Sequence, residues 1–222
     1  MCGRYTLAAD PAAIAEQFGI SPLAQFAPRY NIAPTQPVLV VLEADGERCA
    51  HHVRWGLVPS WARDVKIGNR MINARAETVA EKPAFRAALR RRRCLVPASG
   101  YYEWAAGKNG KQPWYIHAAD GRCLAFAGLW EHWEQDGAVI ESCAIITCAA
   151  NARLASIHDR MPVTLASADY ARWLAPERAG PPPLELLVPA ADDALACYPV
   201  STRVNSPRHD AADCIEPQSA AR

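Results

Sequence analysis

The sequence lacks the marks of several protein classes. No cysteine pair has the C-x-x-C spacing of a zinc or redox site, since the closest two of the eight cysteines, Cys143 and Cys148, are five residues apart. No apolar run approaches the roughly 18 residues of a membrane span, and the N-terminus has no charged segment followed by an apolar one. We therefore expect a cytoplasmic protein with no membrane association, no disulfide framework, no metal and no other cofactor.

A strong net charge is also absent. The chain has 24 Lys+Arg and 23 Asp+Glu, a formal net charge of +1, which by itself argues against nucleic acid as a partner. This total conceals two unlike halves, since residues 1–111 carry 16 basic and 9 acidic side chains and residues 112–222 carry 8 and 14. Only four of the basic residues are lysines. Arginine's planar fork suits phosphate, so the basic half indicates either a phosphate-bearing partner or a genome that favours arginine.

The pattern of elements predicts an α+β fold. Asp10-Pro11 and Gly19 bound a short helix, Thr78 to Glu81 has the form of a capping box opening a helix to about Leu89, and Ser167 is placed to cap a helix through Leu174. Strands are predicted at 37–42, 49–58, 94–98, 114–117, 123–130 and 139–148, with Asp-Gly turns at 45–46, 120–121 and 136–137.

Regular βαβ alternation is missing from this order. We therefore expect a single α+β domain over residues 1–215, mainly an antiparallel β-sheet curled toward a barrel, with peripheral helices. Residues 216–222 are expected to form a disordered tail.

Cys2 follows the initiator methionine, whose removal is normal before a small residue. The mature chain would then carry an α-amine and a thiol on adjacent carbons. An α-amine has a pKa of about 7.7–8.0, so roughly 10–20% of it is neutral at pH 7. Such an aminothiol traps an aldehyde as a Schiff base, which the thiol closes intramolecularly to a thiazolidine. Cys2 is thus a candidate nucleophile, unless Met1 is kept and the position is incidental.

Two further groups of side chains could assist that chemistry: a polar group in one segment and a single carboxylate in another. In an extended segment Asn73, Arg75 and Glu77 would share one face, which offers an amide, a phosphate-binding fork and a carboxylate. Glu103 lies between aromatic residues, which favours a raised pKa and a proton shuttle. The structural alternatives are a solvated strand edge for the first group and an exposed carboxylate for Glu103.

His158 forms a third cluster with Asp159, Arg160 and Met161. Histidine titrates near neutral pH, and Asp159 or another acceptor could fix its tautomer. A structural histidine is the alternative.

Two further features have open interpretations. The run Arg90 to Arg93 is either the solvated end of a helix or a phosphate-binding track. Of two nearby tryptophans, Trp55 is expected in the core, whereas Trp61 is expected to be exposed, where it could stack on an unpaired base.

Six segments together resemble the SRAP family, the SOS-response-associated peptidase proteins that crosslink to abasic sites in single-stranded DNA. They occur in the family's order and span nearly the whole chain: Met1–Tyr5, Arg29–Thr35, Trp55–Trp61, Asn73–Thr78, Gly100–Trp104 and Ile157–Pro162. One departure is Ala62, where some members place a second tryptophan, which bears on how the DNA is wedged beside the lesion.

The resemblance implies specific roles. Cys2, freed of Met1, would attack the ring-opened aldehyde of an abasic deoxyribose, Asn73 would hold the terminus, Glu103 would shuttle protons, and His158 would assist at the sugar oxygen. The residues implied as phosphate ligands are Arg4, Arg75 and Arg160, and those implied along the DNA path are Pro34, Trp61, Thr147 and Met161. The implied partner is single-stranded DNA containing abasic sites, bound by a monomer with no obligate protein partner and associated with the nucleoid when on DNA. Self-removal of Met1 and Schiff-base lyase activity are implied as well.

Two other function classes share part of this pattern. An N-terminal-nucleophile amidohydrolase, such as a glutamine amidotransferase domain, also begins Cys-Gly, but further motifs for glutamine and its oxyanion are not found. A non-catalytic binder of single-stranded nucleic acid would use the basic half and the aromatic residues without needing Cys2. Crosslinking to abasic DNA that depends on Cys2 would separate the three classes.

Overall fold

The computed structural model describes residues 2–23, 26–107, 110–176 and 180–218, which form twelve strands and three α-helices. The strands are β1 (Tyr5–Leu7), β2 (Arg29–Ile32), β3 (Pro37–Ala44), β4 (Glu47–Trp55), β5 (Asn73–Arg75), β6 (Arg93–Ala98), β7 (Gly100–Gly107), β8 (Gly110–Ala118), β9 (Leu124–Gln135), β10 (Ala138–Ala149), β11 (Arg160–Pro162) and β12 (Leu195–Pro199). The helices are α1 (Pro11–Phe18), α2 (Arg86–Arg91) and α3 (Tyr170–Leu174).

Two sheets organise these strands. One has the order β12-β8-β7-β1-β2, and the other has the order β11-β10-β4-β3-β6-β9, with β5 paired to β10. Because β9 also pairs with β10, the strands β10, β4, β3, β6 and β9 close into a barrel. Most pairings are antiparallel, but β4 and β5 run parallel to β10. The predicted α+β fold with a barrel-like sheet is confirmed.

Local signals placed several elements correctly. Asp10 Oδ1 accepts hydrogen bonds from the N–H groups of Ala12 and Ala13 at the start of α1, and Gly19 ends that helix at φ 64°. Asp45-Gly46 and Asp136-Gly137 both adopt positive φ and join β3 to β4 and β9 to β10. These tight turns match the right-handed twist of the strands, as the dipeptides predicted.

Three predicted boundaries are wrong. The capping box at Thr78 opens no helix, because Pro83 has no N–H to donate inside a helix, and α2 begins only at Arg86. Ser167 lies inside a short 3-10 turn rather than capping α3, which begins at Tyr170 with no side-chain cap. The strand predicted through residue 58 ends at Trp55, where Gly56 turns the chain at φ 129°.

The core lies inside the barrel and between the barrel and the other sheet. Aromatic rings from the barrel and from the other sheet pack edge to face: the Tyr5 ring centroid lies 5.3 Å from that of Trp55 and 6.1 Å from that of Phe126. Tyr101 also meets Phe126 edge-on at 5.9 Å. Tyr5 and Tyr101 come from paired strands β1 and β7, so this packing fixes the position of the N-terminal segment against the barrel.

Beyond residue 215 the chain still makes contacts. Pro217 forms an isolated bridge with Val200, and the Gln218 N–H donates to Pro199 O at 2.9 Å. The expected disordered tail therefore does not begin at residue 216, and residues 219–222 lie outside the described residues. No helix formed by the described residues has both the length and the apolarity needed to cross a membrane.

Candidate functional site

Strand pairing assembles the site. β10 is flanked at its C-terminal end by β5, which carries Asn73, and by β11, which carries Arg160. β7, which carries Glu103, pairs with β1 immediately after the N-terminal segment that contains Cys2. Sequence segments that lie far apart are thereby brought together at one end of the barrel.

Cys2 is fully buried and held by Asn73. The Asn73 Nδ2 group donates to the Cys2 backbone carbonyl at 2.8 Å, and the Cys2 thiol lies 3.8 Å from Arg4 O, as a weak donor to it. Burial, followed by the charge of Glu103, raises the pKa of the Cys2 thiol well above its ordinary value. The thiol is therefore protonated at neutral pH. Asn73 Oδ1 is buried without a hydrogen-bond partner among the described residues, so it can accept one from a group beside Cys2.

Glu103 is a buried carboxyl group, not an exposed one. Its residue is 4% exposed, and burial raises its pKa from an ordinary 4.5 to about 7. Both protonation states are therefore populated at neutral pH, as a proton shuttle requires. The expected upward shift is confirmed in direction, but its cause is burial and not the flanking aromatic rings, since Tyr102 and Trp104 lie on the other face of the strand and pack in a separate cluster.

His158 lies beside Glu103, with its Nε2 atom 3.9 Å from Glu103 Oε2. Its Nδ1 atom accepts a hydrogen bond from the Arg160 backbone N–H at 2.9 Å and also lies 2.9 Å from Asp159 Oδ1. A backbone N–H can only donate, whereas the exposed Asp159 carboxylate can turn away, so the backbone sets the tautomer. The proton of neutral His158 then sits on Nε2, facing Glu103, and burial lowers the pKa of the ring.

Arg160 forms a bidentate ion pair with Glu77, with N···O distances of 2.5 and 3.0 Å. Its Nη2 group also donates to the backbone oxygen of Thr147 at 2.6 Å. The expectation that Asn73, Arg75 and Glu77 extend along one strand face is only partly met, because β5 ends at Arg75 and Glu77 lies in the following turn.

A narrow cleft, too small to hold a water molecule, lies against this cluster. Its lining includes Glu103, His158 and Arg160, together with Tyr101 and apolar residues of the loop before His158. The Tyr101 hydroxyl is buried and has no hydrogen-bond partner among the described residues. Tyr101 has no role assigned from the sequence, yet it stands two residues before Glu103 on the same strand face and lines the same cleft.

The residues expected along the DNA path divide into two groups. Trp61 is 58% exposed, Arg75 is exposed and Pro34 is half-buried, so all three present surface to a ligand. Thr147 and Met161 are completely buried, so their side chains present no surface to a strand in this structure, and their place along the DNA path stays a prediction. Met161 packs into the barrel core, and the Thr147 hydroxyl faces the neighbouring backbone of β5.

Arg4 is also engaged within the fold. Its guanidinium group donates to Asn31 Oδ1 at 2.8 Å, to Val204 O at 2.7 Å and to Asn205 O at 3.2 Å. The bonds to Val204 and Asn205 tie Arg4 to the C-terminal segment of the chain. Arg4 thus positions the strand that follows Cys2, and fewer of its donors are available for a phosphate than expected.

Ala62 is turned inward, unlike the exposed Trp61 beside it. Its backbone oxygen accepts a hydrogen bond from Trp133 Nε1 at 2.7 Å, and its side chain packs with Val58 and Trp133. A single tryptophan at residue 61 therefore presents the aromatic surface of this segment, and Trp55 lies in the core as predicted.

The four arginines of the run Arg90 to Arg93 lie in different environments. Arg90 and Arg91 lie in the last turn of α2, Arg92 pairs with buried Glu131 at 2.7 Å, and Arg93 is buried in β6. Neither a wholly solvated helix end nor a continuous phosphate track describes this segment.

One group of possible metal ligands occurs elsewhere in the described part of the chain. His209, Asp213 and Cys214 place their ligand atoms within 4.8 Å of one another. Asp213 already bonds to both His209 and Arg203, at 2.7 Å each. The grouping is therefore accounted for by hydrogen bonds that hold the C-terminal turns.

Comparisons with known proteins show what this chain is similar to. A family model described as SOS response associated peptidase (SRAP) matches residues 1–207. The chain is 41% identical to abasic site processing protein YoaM of Bacillus subtilis (strain 168), over 99% of each chain. It is 32% identical to abasic site processing protein YedK of Escherichia coli (strain K12), over 85% of this chain and 84% of that protein. A solved structure of a protein from Bacteroides thetaiotaomicron matches with a TM-score of 0.88 at 25% identity, covering 98% of this chain and all of that one.

Proposed function

Because the chain belongs to the SOS response associated peptidase family, we propose that it captures abasic sites in single-stranded DNA through a covalent bond to Cys2. The observation that carries the proposal is the placement of Cys2, Asn73, Glu103 and His158 in one cluster. An abasic site equilibrates with an open-chain aldehyde, and an N-terminal cysteine is suited to trapping that group. Single-stranded DNA exposes the sugar without the cost of opening a duplex.

The reaction begins once Met1 is removed. His158 and Glu103 move protons at the sugar oxygen as the ring opens to the aldehyde. The Cys2 α-amine then adds to the aldehyde carbon, and the carbonyl oxygen leaves as water to give an imine. Asn73, which already binds the Cys2 carbonyl at 2.8 Å, holds the attacking residue in place.

The thiol completes the adduct. Its sulfur bonds to the imine carbon, and its proton passes to the imine nitrogen, which closes the thiazolidine without any oxidant or cofactor. Because burial keeps the thiol protonated, this step needs a base nearby. Glu103, with a pKa of about 7, is ionised often enough to accept that proton and protonated often enough to return it.

The strand itself is held by charge and stacking. Arg75 and Arg160 flank the end of β10 and are the proposed phosphate ligands nearest the cluster, with Arg4 in a mainly positioning role. Trp61 offers an exposed ring for an unpaired base, and Pro34 adds apolar surface. We propose that one copy of the chain acts alone, in the cytoplasm and at the nucleoid when bound.

The decisive experiment uses single-stranded DNA with one abasic site, incubated with the purified chain and run on a denaturing gel. We expect a heat-stable shifted band that is absent with intact DNA and with Cys2→Ala. Cys2→Ser keeps the amine but lacks the thiol, so its adduct should require borohydride reduction to survive. Cys49→Ala, which changes a half-buried cysteine elsewhere, should crosslink fully. An unchanged band with Cys2→Ala would refute the role assigned to Cys2.

Removal of Met1 has its own test. Mass spectrometry of the active protein should find a chain beginning at Cys2, since an acylated nitrogen cannot form the imine. Translation in a system without methionine aminopeptidase tests whether the chain removes Met1 itself, which would account for the peptidase in the family's name. The imine also permits strand cleavage as a side reaction, and Cys2→Ser should favour it because its imine is not closed to a ring.

A further inference from the structure

The ion pair between Glu77 and Arg160 has the geometry of an anion complex. Two parallel N–H···O bonds of 2.5 and 3.0 Å join the guanidinium fork to both oxygens of one carboxylate. A phosphate group presents the same pair of oxygens to the same fork. A carboxylate and a phosphate therefore compete for one face of Arg160.

The two partners differ in how firmly they are held. The Arg160 side chain is only 13% exposed, and it is anchored from behind by the backbone oxygen of Thr147, whereas the Glu77 side chain is 51% exposed. Glu77 can therefore swing into solvent while the guanidinium group stays in place. The side-chain hydrogen bonds from Arg160 also lower the pKa of the Glu77 carboxyl, which keeps it charged at neutral pH.

The pair lies at the edge of the reactive cluster. Arg160 lines the same cleft as Glu103 and His158, and its backbone N–H fixes the His158 tautomer. Arg75 is exposed and lies two residues before Glu77, and its side chain forms no hydrogen bond or ion pair within the described part of the chain, although its backbone oxygen accepts from the Thr78 N–H. Glu77 thus neutralises one of the two cations that an incoming strand meets next to the cluster.

We propose that Glu77 is a specificity-determining counter-ion that competes with DNA phosphates for Arg160. This inference rests on the proposed function. By occupying Arg160, Glu77 weakens reversible binding to undamaged strands, so that long retention depends on the covalent bond at Cys2. A strand with an abasic site needs to displace Glu77 only once before it is trapped.

The test measures reversible binding of the full chain to a fluorescent, undamaged single-stranded oligonucleotide over a series of NaCl concentrations. Glu77→Gln should bind about three- to tenfold more tightly at low salt, because Arg160 becomes available to a phosphate. The slope of log K against log salt should steepen by about 0.7, the value for one additional phosphate contact on a single strand.

The matched control is Glu81→Gln. Glu81 is exposed, lies four residues further along the same segment, and its side chain forms no ion pair in the described structure. The substitution Glu81→Gln removes the same charge without freeing an arginine, so it should leave the slope of log K against log salt unchanged. Arg160→Gln should weaken binding, and adding Glu77→Gln to Arg160→Gln should produce no gain.

Two results would overturn the inference. One is a folded Glu77→Gln variant, with unchanged melting temperature, that binds the intact strand no more tightly than the natural chain. The other is an equal gain from Glu81→Gln, which would show a general charge effect. Abasic crosslinking by the natural chain is measured in parallel: its absence would refute the proposed function, whereas normal crosslinking with an unchanged salt series would refute only the role of Glu77.

Discussion

Glu103 shows the conflict between stability and chemistry at a single residue. Its carboxyl group is buried beside His158 and near Cys2, where a charge is poorly solvated, and its pKa is raised from 4.5 to about 7. The charged form that accepts a proton is therefore a form that destabilises the fold. The site keeps this group because a carboxyl that titrates near neutral pH both gives and takes protons.

The pH dependence of stability follows from the sign of that shift. A raised pKa in the folded state contributes stability that is present below pH 4.5 and is lost as the pH rises through about 7. Glu103→Gln removes the titration, so it should raise the free energy of unfolding at pH 8 by up to about 3 kcal/mol relative to its effect at pH 5. Urea unfolding of the natural chain and of Glu103→Gln at pH 5 and at pH 8 measures this difference.

Glu47→Gln, which removes a carboxylate at an exposed position, is the comparison measured at both pH values. Equal effects of Glu103→Gln at pH 5 and pH 8 would contradict a raised pKa.

At the scale of elements, Arg93 joins β6 to the ends of two helices. Its guanidinium group donates to Leu89 O and Arg90 O at the end of α2, and to Trp173 O and Ala175 O at the end of α3. Carbonyls at helix ends have no partner within the helix, and these four are satisfied by one buried cation. Arg93 is therefore a structural cap for two helices, although its place in a basic run suggested a solvated or a phosphate-binding arginine.

Replacing Arg93 should accordingly be costly. Arg93→Met keeps the length of the chain but leaves the carbonyls of both helix ends without that donor, so the free energy of unfolding should fall by about 3 kcal/mol or more. Arg86→Met, an exposed position on α2, should change it by less than about 0.5 kcal/mol. Chemical denaturation compares the two variants, and similar small effects would rule out the capping role.

At the scale of the whole molecule, the N-terminal strands and the C-terminal segment are joined by a clasp formed by Arg4, Asn31 and Asp210. Asn31 Nδ2 donates to Val204 O, Ser206 O and His209 O at 2.7–3.1 Å, while its Oδ1 accepts from Arg4. Asp210 accepts from the Asn31 N–H at 2.9 Å and pairs with Arg29 at 2.6 Å. The two ends of the chain thus support the strand that follows Cys2.

Asn31→Ala should open this clasp. Several buried polar groups lose their partner, so the free energy of unfolding should fall by about 2–3 kcal/mol, and amide hydrogens of residues 203–210 should exchange faster. Asn69→Ala removes an exposed hydrogen bond to Arg54 and serves as the comparison, with a much smaller loss. Unchanged exchange in residues 203–210 would show that other contacts hold this segment.

The sequence alone determined the features that depend on neighbours along the chain. Asp10 and Gly19 bound α1 where the capping pattern placed them, and the Asp-Gly turns at 45–46 and 136–137 join the predicted strand pairs. Family motifs also pointed to the chemical cluster of Cys2, Asn73, Glu103 and His158. Such signals are reliable because a cap or a tight turn is decided within a few residues.

Tertiary structure alone decided what depends on burial and on distant partners. Met161 and Thr147 are enclosed by strand pairing, Arg93 is drawn into a helix-capping role, and Arg160 pairs with Glu77 from a distant segment. None of these follows from spacing, because the same side chain binds phosphate at a surface and satisfies carbonyls in a core. The pKa of Glu103 has the same origin, since its value is set by the desolvation that the closed barrel and the packed sheet impose.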